Sequence, residues 1–141
     1  MKKLEHRFVE FIPDILEKGV IYISMEYSIA THSCACGCGN EVVTPLSPTD
    51  WKLEIEVDSI SLYPSIGNWS FNCKSHYWIT NNKIKWSYTW DEKQIEEGRL
   101  NDKFNKAEYF EEVDVLDKVE IPANQKLRFF KYLIKLWKRL F

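Results

Sequence analysis

The chain has 141 residues, of which 45% are hydrophobic and 15% aromatic, and its 19 Lys and Arg against 21 Asp and Glu leave a formal net charge of −2. That length suits one domain with a real core. A charge this close to neutral excludes general nucleic-acid binding as a main role, because phosphate neutralisation needs a basic surface. No stretch is apolar and long enough to cross a bilayer. The near-balance still hides an asymmetry: residues 91–120 hold eleven acidic and five basic side chains, net −6, whereas residues 126–141 hold six basic and no acidic ones, net +6.

In chain order, Leu4 to Ile12 reads as a strand or a helical turn that Pro13 ends. The opening Met1-Lys2-Lys3 runs into charged Glu5-His6-Arg7 with no apolar run, so no secretory signal is expected and the compartment is taken as the reducing cytoplasm. Gly19 releases the β-branched run Val20 to Met25, a buried strand that leads through Tyr27 to Ala30 into a cysteine cluster. Val42-Val43-Thr44 is a further short strand, and Pro45, Pro48 and Asp50 mark a loop. Trp51, Leu53, Ile55 and Val57 alternate with Lys52, Glu54, Glu56 and Asp58, which predicts one face inward and the other in water. The sheet continues through Ser59 to Tyr63 until Pro64, and residues 65–69 form a loop. Ser75 to Ile79 and Lys83 to Tyr88 flank Asn81-Asn82, a hairpin turn made from residues that tolerate positive φ.

Asp91 is the N-cap of a short helix, with Gln94 three residues on and Gly98 as its stop, and the acidic stretch to Glu120 reads as loop and weak helix. After Pro122, Leu127, Phe130, Leu133, Ile134, Trp137, Leu140 and Phe141 fall near one helical face, with Arg128, Lys131, Lys135, Lys138 and Arg139 largely opposite. Docking of this helix on the domain or on a partner protein is favoured over contact with an anionic membrane. The expected fold is mainly β (α+β): a small zinc-stabilised antiparallel sheet domain over residues 1–121, with peripheral helices, followed by a basic amphipathic C-terminal helix over 122–141.

Cys34-Ala35-Cys36-Gly37-Cys38-Gly39, with Cys73 beside His76, carries the most chemistry. Cysteines at i and i+2 of an extended segment cannot form a relaxed disulfide with each other, whereas soft thiolate and imidazole ligands around one point suit a tetrahedral Zn2+ ion. Gly37 and Gly39 can adopt positive φ and turn backbone amides toward sulfur. Cys34, Cys36, Cys38 and Cys73 are the candidate ligands, with His32 and His76 as alternates for any one of them. If the four thiols close the site, His76 is left for a second role as general base. Ser65, between Pro64 and Gly67, is then the candidate nucleophile, with Gly67 leaving backbone N–H groups for an oxyanion. Ser75 is the runner-up, since as the neighbour of His76 on a strand it points to the opposite face. Asp50 is a candidate to orient the imidazole. With one cysteine outside the site, an open zinc with Glu41 as its base becomes the alternative.

The ordered motifs His32-x-Cys34-x-Cys36-Gly37-Cys38-Gly39, Thr44-Pro45-Leu46, Ser47-Pro48-Thr49-Asp50-Trp51, Ser61-Leu62-x-Pro64-Ser65-Ile66-Gly67-Asn68-Trp69 and Cys73-x-Ser75-His76-Tyr77-Trp78-Ile79 resemble a small bacterial Cys/His-rich family of domains of unknown function. Its members are encoded beside ubiquitin-like proteins and enzymes similar to ubiquitin-activating and ubiquitin-conjugating enzymes, in operons linked to antiviral defence. The resemblance covers roughly residues 20 to 90. It implies a zinc-containing peptidase that trims a ubiquitin-like precursor or removes the modifier from a target. The implied metal residues are Cys34, Cys36, Cys38 and Cys73, and the implied catalytic residues are His76 with Ser65 or Ser75. The implied partners are a ubiquitin-like protein and its activating and conjugating enzymes. Two other classes compete: a non-catalytic zinc module that binds such a protein or its enzymes, and a metallohydrolase with catalytic zinc. An aromatic groove of Trp69, Tyr77, Trp78 and Trp86 would grip an extended tail in either a peptidase or a binding module.

Overall fold

The computed structural model describes residues 2–118, and in these eight strands precede one helix. Strands β1 (Glu5–Phe8), β2 (Val20–Ser24), β3 (Ile29–Ser33) and β4 (Glu41–Pro45) form one sheet in that order, with β1 parallel to β2 and the others antiparallel. Strands β5 (Lys52–Ile55), β6 (Ile60–Gly67), β7 (His76–Thr80) and β8 (Lys83–Trp86) form a second, antiparallel sheet, also in chain order. The mainly β class expected from the sequence is what the chain adopts. Its helix α1 spans Glu92–Lys118. The chain divides into two units, Met1–Asn101 and Asp102–Phe141, and the basic helix expected over 122–141 lies outside the described residues.

One core serves both sheets. Ile21, Ile23, Ala30 and Val42 from the first sheet join Ile60, Leu62, Ile66, Tyr77, Ile79 and Ile84 from the second. All five residues of β2 are buried, Val20 to Ile23 as an apolar run and Ser24 with its Oγ donating to Glu10 O (2.7 Å). Each fully buried Ile or Leu contributes about 1.5–3 kcal/mol relative to exposure. The amino-terminal segment ties the sheets together. Leu4 N–H donates to Asn82 O (2.7 Å) and Ile84 N–H to Lys2 O (2.8 Å), and one residue later Glu5 N–H donates to Gly19 O (2.8 Å). The β7–β8 turn is the expected Asn-Asn pair, with φ of 48° and 60° at Asn81 and Asn82. Buried Asn82 also accepts from Ile60 N–H through Oδ1 (2.8 Å) and donates from Nδ2 to His6 Nδ1 (2.8 Å).

Three local expectations are corrected. The alternating face of residues 51–57 does not go inward throughout: β5 ends at Ile55, and Ile55 and Val57 are 56% and 98% exposed. Only two of its apolar positions, Trp51 and Leu53, pack on the core, because the strand lies at the sheet edge. Residues 65–67 belong to β6 and not to a loop. The register shifts between Leu62 and Ile66, so Tyr63, Pro64 and Ser65 bulge out of the β6–β7 ladder, with a cis bond at Tyr63-Pro64. Gly98 does not stop the helix, which runs on for 27 residues in all. A mid-helix glycine costs roughly 1 kcal/mol relative to alanine, and here its neighbour explains it: a Cβ at position 98 would lie 2.7 Å from Trp90 Cζ3. The expected N-cap is present as a reciprocal pair, Gln94 N–H to Asp91 Oδ1 (2.8 Å) and Asp91 N–H to Gln94 Oε1 (3.0 Å).

Candidate active site and metal centre

At the end of β3 the chain turns sharply. Cys34 N–H donates to Asn40 O (2.8 Å), Gly37 N–H donates to Cys34 O (3.0 Å), and Gly37 and Gly39 take φ of 87° and 85°. The loop so closed brings Cys34, Cys36 and Cys38 together with Cys73, which sits in a turn closed by Asn68 N–H donating to Ser75 O (2.8 Å). All four sulfurs lie within 4.8 Å of one another. Cys34 is 3.5 Å from Cys36 and 3.9 Å from Cys73, and Cys38 is 3.8 Å from Cys73. Tetrahedral Zn–S bonds of about 2.3 Å would separate sulfurs by about 3.8 Å, so the donor set fits a four-coordinate thiolate-binding ion. None of the four is in a disulfide.

The surroundings suit thiolates. Cys38 N–H donates to Cys36 Sγ (3.3 Å) and Asn40 Nδ2 to Cys38 Sγ (3.3 Å). The Asn40 backbone amide is the chief cause that draws the Cys38 thiol down to about 7, while desolvation within the cluster pushes Cys36 up to about 12. Neighbouring thiolates repel one another, and a bound cation is what lets all of them ionise. Ser75 faces this cluster: its Oγ is 3.1 Å from Cys34 Sγ and 3.4 Å from Cys73 Sγ, and it accepts from Asn68 Nδ2 (2.9 Å).

His32 stands apart from the sulfurs as a buried core residue. Its Nε2 meets Tyr77 Oη at 2.7 Å, its Nδ1 has no hydrogen-bond partner, and burial pulls it down to about 4, so the ring is neutral. Tyr77 Oη also lies 3.5 Å from Ala35 N and from Asn68 Nδ2, both donors, which leaves its own proton for His32.

His76 occupies a second centre on the other side of the strand. Its Nε2 is 2.8 Å from Ser65 Oγ and its Nδ1 is 2.9 Å from the carbonyl oxygen of Tyr88. A carbonyl can only accept, so Nδ1 carries the proton and Nε2 is the free base facing the hydroxyl. The bulge at residues 63–65 turns Ser65 toward the ring, and Ser87 N–H donating to His76 O (2.9 Å) holds the segment that supplies Tyr88. Asp50 does not meet the imidazole through Nδ1, which is taken by Tyr88; it accepts from Ser47 Oγ at 2.7 Å. A backbone acceptor leaves no trace in side-chain identity, so no motif could have pointed to Tyr88.

The aromatic groove expected from Trp69, Tyr77, Trp78 and Trp86 does not form. Tyr77 is wholly buried, and Trp78, its neighbour on the strand, packs with Tyr63 at 6.3 Å between centroids. Trp69 instead lies on Gly67, where any side chain would collide with its indole, so that glycine makes room for a ring. Beside it, a cavity of about 190 Å³ is lined by Thr44, Trp51, Ile66, Gly67, Trp69 and Phe71, among others.

A hydroxyl on Nε2 with an acceptor on Nδ1 is the arrangement by which serine hydrolases ready an attacking oxygen. The chain belongs to the bacterial ubiquitination-like system serine protease (BubE) family, whose family model matches residues 8–87. Peptidase chemistry is thus the family's stated activity, in keeping with the hydrolase expected from the motifs. The four cysteines, Ser65, Ser75 and His76 fall within the matched stretch, and Tyr88 lies one residue beyond it. No curated protein and no solved structure matches the chain. Among the described residues, no helix is long and apolar enough to cross a membrane.

Proposed function

We propose that this chain is a cytoplasmic serine peptidase or isopeptidase that processes or deconjugates a bacterial ubiquitin-like protein, with Ser65 as nucleophile and His76 as general base. The observation that carries this reading is the line Ser65 Oγ, His76 Nε2, His76 Nδ1, Tyr88 O, with contacts of 2.8 and 2.9 Å. Ser65 Oγ attacks the scissile carbonyl carbon while its proton passes to Nε2. The same proton then leaves with the departing amine, giving an acyl ester on Ser65 that water hydrolyses by the same route. Throughout, Nδ1–H stays on the Tyr88 carbonyl, which keeps the ring from turning.

Cys34, Cys36, Cys38 and Cys73 would hold Zn2+ as a structural ion. Four thiolates complete its coordination, and the ion supplies cross-linking of the 34–39 loop to the Cys73 turn. This favours a structural role over a catalytic one. Ser75, in contact with two of the sulfurs, is a supporting residue of that centre in this reading and not a nucleophile. Incubation with a purified ubiquitin-like precursor tests the proposal: Ser65→Ala and His76→Ala should each abolish cleavage, Ser65→Ala while keeping the wild-type melting curve. Wild-type rates in both variants would refute it.

A further inference from the structure

The imidazole of His76 is held at its two nitrogens and also abuts a pair of indoles. The Trp69 ring meets it edge to face at 4.9 Å and the Trp90 ring at 5.3 Å, with interplanar angles of 63° and 75°. The two indoles stack on each other at 5.3 Å and 17°. The stack is bounded by two glycines. Trp69 rests on Gly67, and Trp90 rests on Gly98 in the second turn of α1, where an added Cβ would sit 2.7 Å from its ring. The first turns of α1 are fixed in turn by the Asp91–Gln94 cap and by Ile95, which is buried and three residues from Gly98, on the same helical face.

We infer that Trp90 and Gly98 are positioning residues for the Ser65–His76 pair, and that the start of α1 is part of the active-site apparatus although it lies beyond the matched family residues 8–87. This rests on the catalytic reading above. The segment 87–90 grips the histidine three times: Ser87 on its backbone carbonyl, Tyr88 on Nδ1 and Trp90 on the ring. Gly98 sets how close α1 comes to Trp90, and so sets the position of that ring against the imidazole. It also accounts for a glycine where a helix would favour alanine. The stacked indoles against one side of the ring would shield the Nδ1–H···O bond and limit the tilt of the imidazole away from Ser65, and small misplacements of a catalytic base cost rate steeply.

The test uses the full chain with Gly98→Ala, Trp90→Ala and Trp90→Phe, read out in two ways. Steady-state cleavage of a ubiquitin-like precursor should show kcat lowered roughly tenfold or more in Gly98→Ala and Trp90→Ala with KM little changed, and largely recovered in Trp90→Phe. Proton NMR without substrate should show the His76 Nδ1–H resonance sharp in wild type and Trp90→Phe, and broadened by exchange with water in the other two. Wild-type kcat and a sharp resonance in Gly98→Ala and Trp90→Ala would overturn the inference. So would a loss of rate that only tracks the unfolded fraction while the resonance stays sharp. If instead Ser65→Ala cleaves like wild type, the catalytic reading fails, and the resonance alone still decides whether Trp90 and Gly98 hold the ring.

Discussion

Ser75 and His76 are adjacent in the chain, yet the strand pleat sends them to opposite neighbourhoods. Ser75 Oγ touches the sulfurs of Cys34 and Cys73 and is bound by Asn68, in a centre that continues through Tyr77 to buried His32. His76 turns to Ser65 and Tyr88 against two stacked indoles. Each centre therefore holds a serine and a histidine, with different consequences. In the first the histidine is sealed in the core with one nitrogen unpartnered; in the second it has a hydroxyl on one nitrogen and an acceptor on the other. What distinguishes the two histidines is the partner of Nδ1, absent at His32 and the Tyr88 carbonyl at His76, and a serine hydroxyl on Nε2 at His76 alone.

Perturbing the two centres should give effects of different kinds. The largest concerns the sulfurs. Removing the metal with a chelator, or Cys73→Ser, should cost a sizeable part of the roughly 10 kcal/mol that structural zinc supplies to small domains, seen as loss of the cooperative melt in circular dichroism. Cleavage then disappears because the fold does. Next, Ser65→Ala and His76→Ala should lower kcat by roughly 10³-fold, about 4 kcal/mol, with an unchanged melt in Ser65→Ala. Denaturant unfolding as a function of pH comes third. His32 is held below its ordinary value of 6.5, at about 4, so the fold keeps the neutral ring. Its contribution is complete above pH 6.5 and is lost as the pH falls from 6.5 toward 4, on the order of 3 kcal/mol; His32→Gln should flatten that stretch of the profile. The smallest effect sharpens the comparison most. Ser75→Ala strips a partner from Cys34 and Asn68, and should cost about 1–2 kcal/mol in stability while cleavage stays near wild type.

Much of this was legible in residue identities. A Cys-x-Cys-Gly-Cys-Gly run with a distant cysteine has few uses besides an ion, and β2 and the Asn81-Asn82 turn carry strong local signals. Ser65 and His76 were legible as candidates because a hydroxyl needs a base, and the structure brings them to 2.8 Å. The rest lay in tertiary context. Gly98 reads locally as a helix stop, and only the Trp90 ring against it shows why a glycine sits inside a helix. Gly67 reads as a source of free amides, and what it admits is the Trp69 indole. Tyr77 and Trp78 look alike as groove-formers, but the pleat buries one with His32 and leaves the other beside Tyr63. The orienting group on His76 is a main-chain carbonyl that any residue at position 88 would offer.

The central claim is that Ser65 is the activated hydroxyl. Labelling the full chain with a fluorophosphonate probe, followed by peptide mass spectrometry, measures this directly, since the reagent reacts with a serine whose oxygen is deprotonated by a neighbouring base. The account predicts a single adduct on Ser65 that vanishes in His76→Ala and persists in Ser75→Ala. An adduct on Ser75, or labelling of Ser65 that is indifferent to His76, would contradict it.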